Sequence, residues 1–276
     1  MKTKRRDNML QRIITGAGIA VVVLVILFSN IYVTGAFVAL LALFAQYEFL
    51  KVAGINDKPV LLATNQVFSL VFSIMVLLSL TNVVPAIATI YIVLMFSVML
   101  FRHEKVEFTH VATCVFSLVY ITASMLHIVT TRQLEAGNLY IFLIFIGAFA
   151  TDTCAYFVGV LFGKHKLCPK ISPKKTIEGA IGGEIGTVIL MLAFGYVAGN
   201  VANVNVNYLS LGILGVLSGL FSQLGDLTAS IIKRQYGVKD YGNLLPGHGG
   251  IMDRIDSIVL MAPLVYYFVT NFCVFY

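Results

Sequence analysis

Read as hydrophobic and polar positions, the chain is a succession of apolar runs parted by short polar stretches. The runs are about 16 to 25 residues long, the length an α-helix needs to cross a hydrocarbon layer of ~30 Å. Hydropathy windows of about 20 residues predict spans over 13–28, 31–49, 60–80, 83–101, 108–128, 139–162, 179–198, 208–232 and 254–275. A transmembrane β-barrel needs strict alternation over about ten residues per strand, and runs such as Ile19 to Phe28 do not alternate. The pattern therefore predicts an all-α polytopic membrane protein with about nine transmembrane helices. Composition agrees: 59% of residues are apolar and 12% charged, against about 45–50% and about 25% in a soluble domain.

The polar stretches carry the orientation. With the N-terminus in the cytosol, 18 of the 19 Lys and Arg residues fall in cytosolic segments, and only Arg132 lies outside. The reverse orientation opposes the bias of cytosolic loops towards Lys and Arg. Nine spans then leave the C-terminus on the outer side. Much of the net charge of +6 is thus a record of topology, and the same basic face attracts anionic lipid head groups. Nucleic-acid binding is not expected.

Lys2, Lys4, Arg5 and Arg6 before the first run resemble a signal peptide, yet no A-x-A-like cleavage site follows and the chain is apolar again from Ile31. A retained first helix is expected. The spans divide into a first part, 1–135, with about five helices, and a second, 136–276, with about four helices and the cytosolic loops 163–178 and 233–253, within one integrated membrane domain. The outer connections Ser29-Asn30, Thr81-Asn82 and Gly199 to Asn207 are short, so function is expected in the membrane or on the cytosolic face. No repeat links the two parts, which counts against an inverted-repeat transporter. The four cysteines show no C-x-x-C spacing and the five histidines no H-E-x-x-H, which argues against a disulfide framework and a zinc hydrolase.

Acids concentrate in the second part. An aspartate near the middle of a membrane helix costs about 2.5–3.5 kcal/mol on insertion scales, so Asp152 and Asp226 need a reason, whether a structural ion pair, a snorkelling position or a site. Asp226, Ser230 and Lys233 sit at i, i+4 and i+7, one polar stripe leading to Lys233 and Arg234. Asp253, Asp256 and Ser257 share a face at the start of the last span. Oxygen donors without His or Cys suit a hard cation such as Mg²⁺, held by one or two carboxylates and substrate phosphates. Acids and bases around one cytosolic cavity suit phosphoryl or nucleotidyl transfer. A proton-coupled transporter needs the acids but fewer neighbouring bases.

Two loops adjoin these spans. In the first, Ser172-Pro173-Lys174-Lys175-Thr176-Ile177-Glu178-Gly179, Ser172 or Thr176 can cap the next helix with Glu178 in its first turn, and the paired lysines at a helix start can also receive phosphate. Gly179, Gly182, Gly183 and Gly186 have the small-xxx-small spacing of packed membrane helices. Gly159 to Lys164 misses the P-loop pattern by one residue and lacks its Ser or Thr. The second loop and its flanks run from Ser230 through Lys233-Arg234, Lys239-Asp240 and Gly247-His248-Gly249-Gly250 to Asp253-Arg254-Ile255-Asp256. Its glycines can admit phosphate to backbone amides or simply turn the chain, and His248 can bond phosphate or hold the loop.

This stretch resembles the signature of the phosphatidate cytidylyltransferases, matching S-x-x-K-R-x4-K-D-x6-G-H-G-G-x-x-D-R-x-D without a gap. Ser172 to Gly179, Gly225-Asp226-Leu227 and the Asp152 to Gly159 helix are also similar, so the resemblance covers roughly 140–260. It implies a membrane enzyme, homodimeric, that condenses CTP with phosphatidic acid to CDP-diacylglycerol and pyrophosphate, using Mg²⁺ with K⁺ beside it. It further implies Asp226 and Asp253 as metal ligands and Ser172, Lys174, Lys175 and Thr176 as a nucleotide-phosphate segment, to which Glu178 is joined by position. Lys233, Arg234, Lys239, Asp240, His248, Arg254 and Asp256 would then divide between CTP and lipid, in the cytoplasmic membrane of a bacterium with the site facing the cytosol. A CTP-dependent lipid kinase is the nearest rival and a cation-coupled transporter the rival of a different class.

Overall fold

The computed structural model describes residues 16–18, 20–245, 247 and 249–276. The N-terminal segment, part of the first expected span and His248 lie outside the described residues. The described chain is helical over 20–28 and then forms α1 (Ile31–Val52), α2 (Pro59–Leu77), α3 (Val84–Phe101), α4 (Phe108–Arg132), α5 (Gly137–Phe162), α6 (Ile177–Ala202), α7 (Tyr208–Gln235) and α8 (Met252–Asn271). Among the described residues seven helices, α1 to α7, are long and apolar enough to cross a membrane, α3 with its preceding turn. This is a polytopic helical membrane protein. The last helix falls short of that measure because Asp253, Arg254 and Asp256 occupy its first turns.

Local chemistry sets the helix starts. Asn30 caps α1 by accepting from the Val33 amide at 3.0 Å, and Pro59 opens α2, where the missing N–H costs no helical bond. At the C-terminal end of α7 the helix continues through Lys233 and Arg234 to Gln235, so the following loop starts later than the expected residue 233. Cations there meet the negative end of the helix dipole. The 163–178 connection is not simply a loop. Lys166–Cys168 (β1) and Ser172–Thr176 (β2) pair antiparallel, Lys166 opposite Thr176 and Cys168 opposite Ser172, adding one small hairpin to the expected all-helical fold.

The described chain forms two compact units: the residues up to Val129 with Tyr236–Ile255, and Thr130–Gln235 with Asp256–Tyr276. In the first, α1 packs on α2 and on α4, whose middle, Leu118–Ala123, widens into a π-turn. Neutral polar groups bond across these helices: Gln46 Nε2 donates to Thr122 Oγ1 at 3.2 Å, Ser69 and Thr122 share a hydroxyl bond of 2.8 Å, and Asn65 Nδ2 donates to Ser117 Oγ at 3.0 Å. In a span without water such bonds take the place of solvation. In the second unit α5, α6 and α7 pack side by side. Gly179, Gly182, Gly183 and Gly186 of α6 lie against α5, and a Cβ on Gly183 would sit 2.8 Å from the Thr151 carbonyl oxygen. The close approach lets the buried Thr151 and Thr187 hydroxyls bond at 2.6 Å.

Candidate active site

The second unit gathers three acids from three helices. Asp226 on α7 is ion-paired with Lys175 of β2, each side chain 24% exposed, and its Oδ1 accepts from Ser230 Oγ at 3.3 Å. Two members of the polar stripe, Asp226 and Ser230, are therefore bonded to each other along α7. Gly225 explains how α7 reaches α8: a Cβ there would stand 2.6 Å from the Asp256 carbonyl oxygen and 3.2 Å from Ser257 Cα. Backbone meets backbone at that point, and the neighbouring Asp226 comes within electrostatic range of the buried Asp256. Asp152 of α5 completes the group, accepting from Ser257 Oγ at 3.4 Å, while the Ser257 amide donates to Asp256 Oδ1 at 3.0 Å. Buried Lys233 faces Asp256 as the compensating cation. Carboxylates this close repel unless cations intervene, so Lys175 and Lys233 are required by the acids as much as by any ligand.

The hairpin beside them divides into inward and outward residues. Lys174 is exposed, and Ser172 and Lys175 are half-buried. Thr176 is buried and caps α6, its Oγ1 accepting from the Gly179 amide at 3.1 Å, which makes capping the observed role among those its position allowed. Glu178 is engaged with the loop before β1: its carboxylate bonds His165 Nδ1 at 2.6 Å and accepts from the Lys164 and His165 amides at 3.1 and 3.2 Å. Arg234 is exposed and its Nε donates to the Ile171 carbonyl at 3.4 Å.

In the first unit the segment after α7 folds back on itself before α8. Asp253 is buried, and its Oδ2 accepts from the Tyr241 amide at 2.8 Å and the Gly250 amide at 3.0 Å. Leu245 N donates to Gly249 O at 2.9 Å across a tight turn in which Gly247 and Gly249 have φ of 76° and 84°, a region open to glycine at no steric cost. The glycines thus turn the chain, and the Gly250 amide is committed to Asp253. Lys239, Asp240 and Arg254 are exposed. One participant was not anticipated: Glu48 of α1, whose Oε2 accepts from the Met252 amide at 2.9 Å. An acid inside an otherwise apolar span was the signal that could have found it.

Among the described residues no group of three or more His, Cys, Asp or Glu could enclose a metal. The donors present are carboxylate oxygens partnered by lysine, serine and backbone amides. That set matches an ion such as Mg²⁺, which takes one or two carboxylates and completes its shell with water and phosphate.

Apolar helices long enough to cross a membrane, carrying a group of acids and lysines, define an integral membrane protein. Residues 10–272 match the sequence model of the cytidylyltransferase family. The chain belongs to that family. It is 44% identical over 179 residues to the phosphatidate cytidylyltransferase of Staphylococcus aureus (strain COL), a match over 65% of this chain and 66% of that protein. The enzyme of that name from Staphylococcus haemolyticus is 40% identical over the same shares. For the Bacillus subtilis (strain 168) enzyme the identity is 34% over 229 residues, 83% of this chain and 74% of that protein. The match thus spans slightly under two thirds of the staphylococcal relatives' length. With bacterial relatives and apolar helices, the setting is a bacterial membrane.

Proposed function

We propose that the chain is a phosphatidate cytidylyltransferase, transferring CMP from CTP to phosphatidic acid to give CDP-diacylglycerol and pyrophosphate. The observation that carries this reading is the unbroken run from Ser230 to Asp256, whose Lys233 and Asp256 are buried and belong with the half-buried Asp152 and Asp226 to one charged group. The relatives named phosphatidate cytidylyltransferase support the substrate pair.

The chemistry needs no activating base, because phosphatidate already carries an anionic phosphate. One of its oxygens attacks the α-phosphorus of CTP. A P–O bond forms as the bond from the α-phosphorus to the oxygen bridging the β-phosphorus breaks, and pyrophosphate departs with that oxygen and its electron pair. Both reactants are anions, so positioning and charge neutralisation carry the catalysis. Lys175 exchanges its partner Asp226 for nucleotide phosphate, with exposed Lys174 beside it. Ser172 donates to the same phosphates, while Thr176 and Glu178 hold the hairpin in place. Lys233 stays with Asp256. Arg234, Lys239, Arg254 and His248 supply charge and hydrogen bonds for phosphate, with Asp240 among them. Asp226 and Asp253 are the residues that would hold Mg²⁺, with K⁺ as companion, and the ion would supply positive charge against the nucleotide phosphates.

Nine spans rest on the hydropathy windows and are supported by the Lys and Arg distribution, on which the cytosolic N-terminus and the cytosol-facing site also rest, and the homodimer rests on the resemblance. The test is to incubate purified protein with phosphatidic acid, Mg²⁺ and CTP labelled at the α-phosphate. Label in the lipid with release of pyrophosphate is expected. Transfer only of γ-label to a lipid alcohol would make the protein a kinase.

A further inference from the structure

The turn into α8 lacks a local cap. A helix start leaves its first amides without helical partners, and a Ser, Thr, Asp or Asn just before it usually accepts one of them. Ile251 stands at that position and has no acceptor in its side chain. The acceptor comes instead from 204 residues away: Glu48 Oε2 takes the Met252 amide at 2.9 Å. Glu48 is 7% exposed, on an α1 whose other buried residues are nearly all apolar or small. A buried acid is costly unless it is hydrogen-bonded, and a packing role would be filled better by leucine.

The segment before α8 is shaped around this carboxylate. A Cβ added to Gly242 or to Gly250 would collide with it, so both ends of the fold-back are bare where Glu48 enters. Neighbouring residues close the same loop from the other side, since Asp253 Oδ2 accepts from the Tyr241 and Gly250 amides. Tyr241 is buried and its ring lies 6.0 Å from that of Phe49, the residue after Glu48. Two carboxylates thus tie residues 241–242 to residues 250–252, and one of them is Asp253 itself.

We infer that Glu48 is a positioning residue for the signature segment: it fixes the Gly242 to Met252 fold-back and thereby the direction in which Asp253 is presented. α1 then contributes to the chemistry as the anchor of the loop. The consequence for turnover rests on the cytidylyltransferase reading; the consequence for the loop does not.

The experiment measures amide hydrogen exchange over residues 239–253 in the full-length, metal-free protein, together with the Mg²⁺ dependence of α-label transfer, for wild type, Glu48→Ala and Glu48→Gln. Loss of a cap and a buried acceptor is expected to speed exchange in this segment by about tenfold, with exchange in α5 to α7 unchanged. The Mg²⁺ needed for half-maximal rate rises and kcat falls in Glu48→Ala, while the KM for CTP moves less. Glu48→Gln keeps an oxygen for the Met252 amide and returns exchange and Mg²⁺ requirement most of the way to wild type. If Glu48→Ala does not accumulate as folded protein, Glu48→Asp, one methylene short of Met252, is read with the same outcomes.

Wild-type exchange in Glu48→Ala overturns the inference. So does a Glu48→Gln variant with wild-type exchange but the turnover of the alanine variant, because the carboxylate would then act directly. If the wild-type protein transfers no label, the functional reading falls while the exchange comparison still decides the role of Glu48.

Discussion

Replacing Asp226 by asparagine separates what this carboxylate does for stability from what it does for chemistry. In the fold it is bonded to Lys175 and Ser230 and lies within reach of Asp256. Asparagine keeps the size and an oxygen for Ser230 but removes the charge that Lys175 meets. Both partners of that ion pair are about one quarter exposed, so the loss is discounted towards surface values, about 1 to 2 kcal/mol. Relief of repulsion with Asp256 offsets part of it. Insertion and folding are therefore expected to survive, with a small drop in thermal midpoint. Turnover is expected to fall by about three orders of magnitude or more, since a ligand that organises transition-state charge contributes several kcal/mol. The assay is α-label transfer to lipid beside a thermal melt of the detergent-purified protein. The pair Asp226→Asn with Lys175→Gln sharpens the comparison: it removes the unpaired cation and regains the lost stability, but not activity. Near wild-type turnover in Asp226→Asn, or recovery of turnover in the double variant, would refute the reasoning by making the carboxylate only the partner of Lys175.

Two further outcomes follow from the same geometry. Lys174→Ala removes an exposed cation and should raise the CTP concentration needed for half-maximal rate more than the phosphatidate concentration; measured substrate dependences showing the reverse would move this lysine to the lipid side. Gly225→Ala places a Cβ 2.6 Å from the Asp256 carbonyl oxygen, so α7 must withdraw from α8. A loss of about 1–3 kcal/mol in stability is expected from such overpacking, with turnover falling further than the melt alone explains, and an unchanged melt and rate would show that the helices are not in backbone contact there.

The spans were legible because about 20 apolar residues have few other uses, and the boundaries expected at 31–49, 139–162 and 208–232 lie within a few residues of α1, α5 and α7. The stripe from Asp226 to Lys233 was legible for the same reason, since helical spacing alone puts those residues on one face. The hairpin was not: Ser172 to Thr176 is short, holds a proline and two lysines, and shows no alternation, so its pairing comes from the return of the chain and not from strand propensity. Thr176 had two readings open from sequence, and the hydrogen bond from the Gly179 amide shows the capping one formed. Glu48 gave a signal as an acid within an apolar run, but its role was not legible, because its partner is 204 residues distant and hydropathy averages a single acid into the run that surrounds it. Gly225 carried no local signal either, because its meaning is the Asp256 backbone opposite.

The measurement that bears most directly on the central claim is transfer of α-phosphate label from CTP to phosphatidic acid by the purified protein, with Mg²⁺ and with excess EDTA. Labelled CDP-diacylglycerol and an equal yield of pyrophosphate are expected with the metal, and neither with the chelator. Label that stays in the aqueous phase under both conditions, from protein shown to be folded, would contradict it.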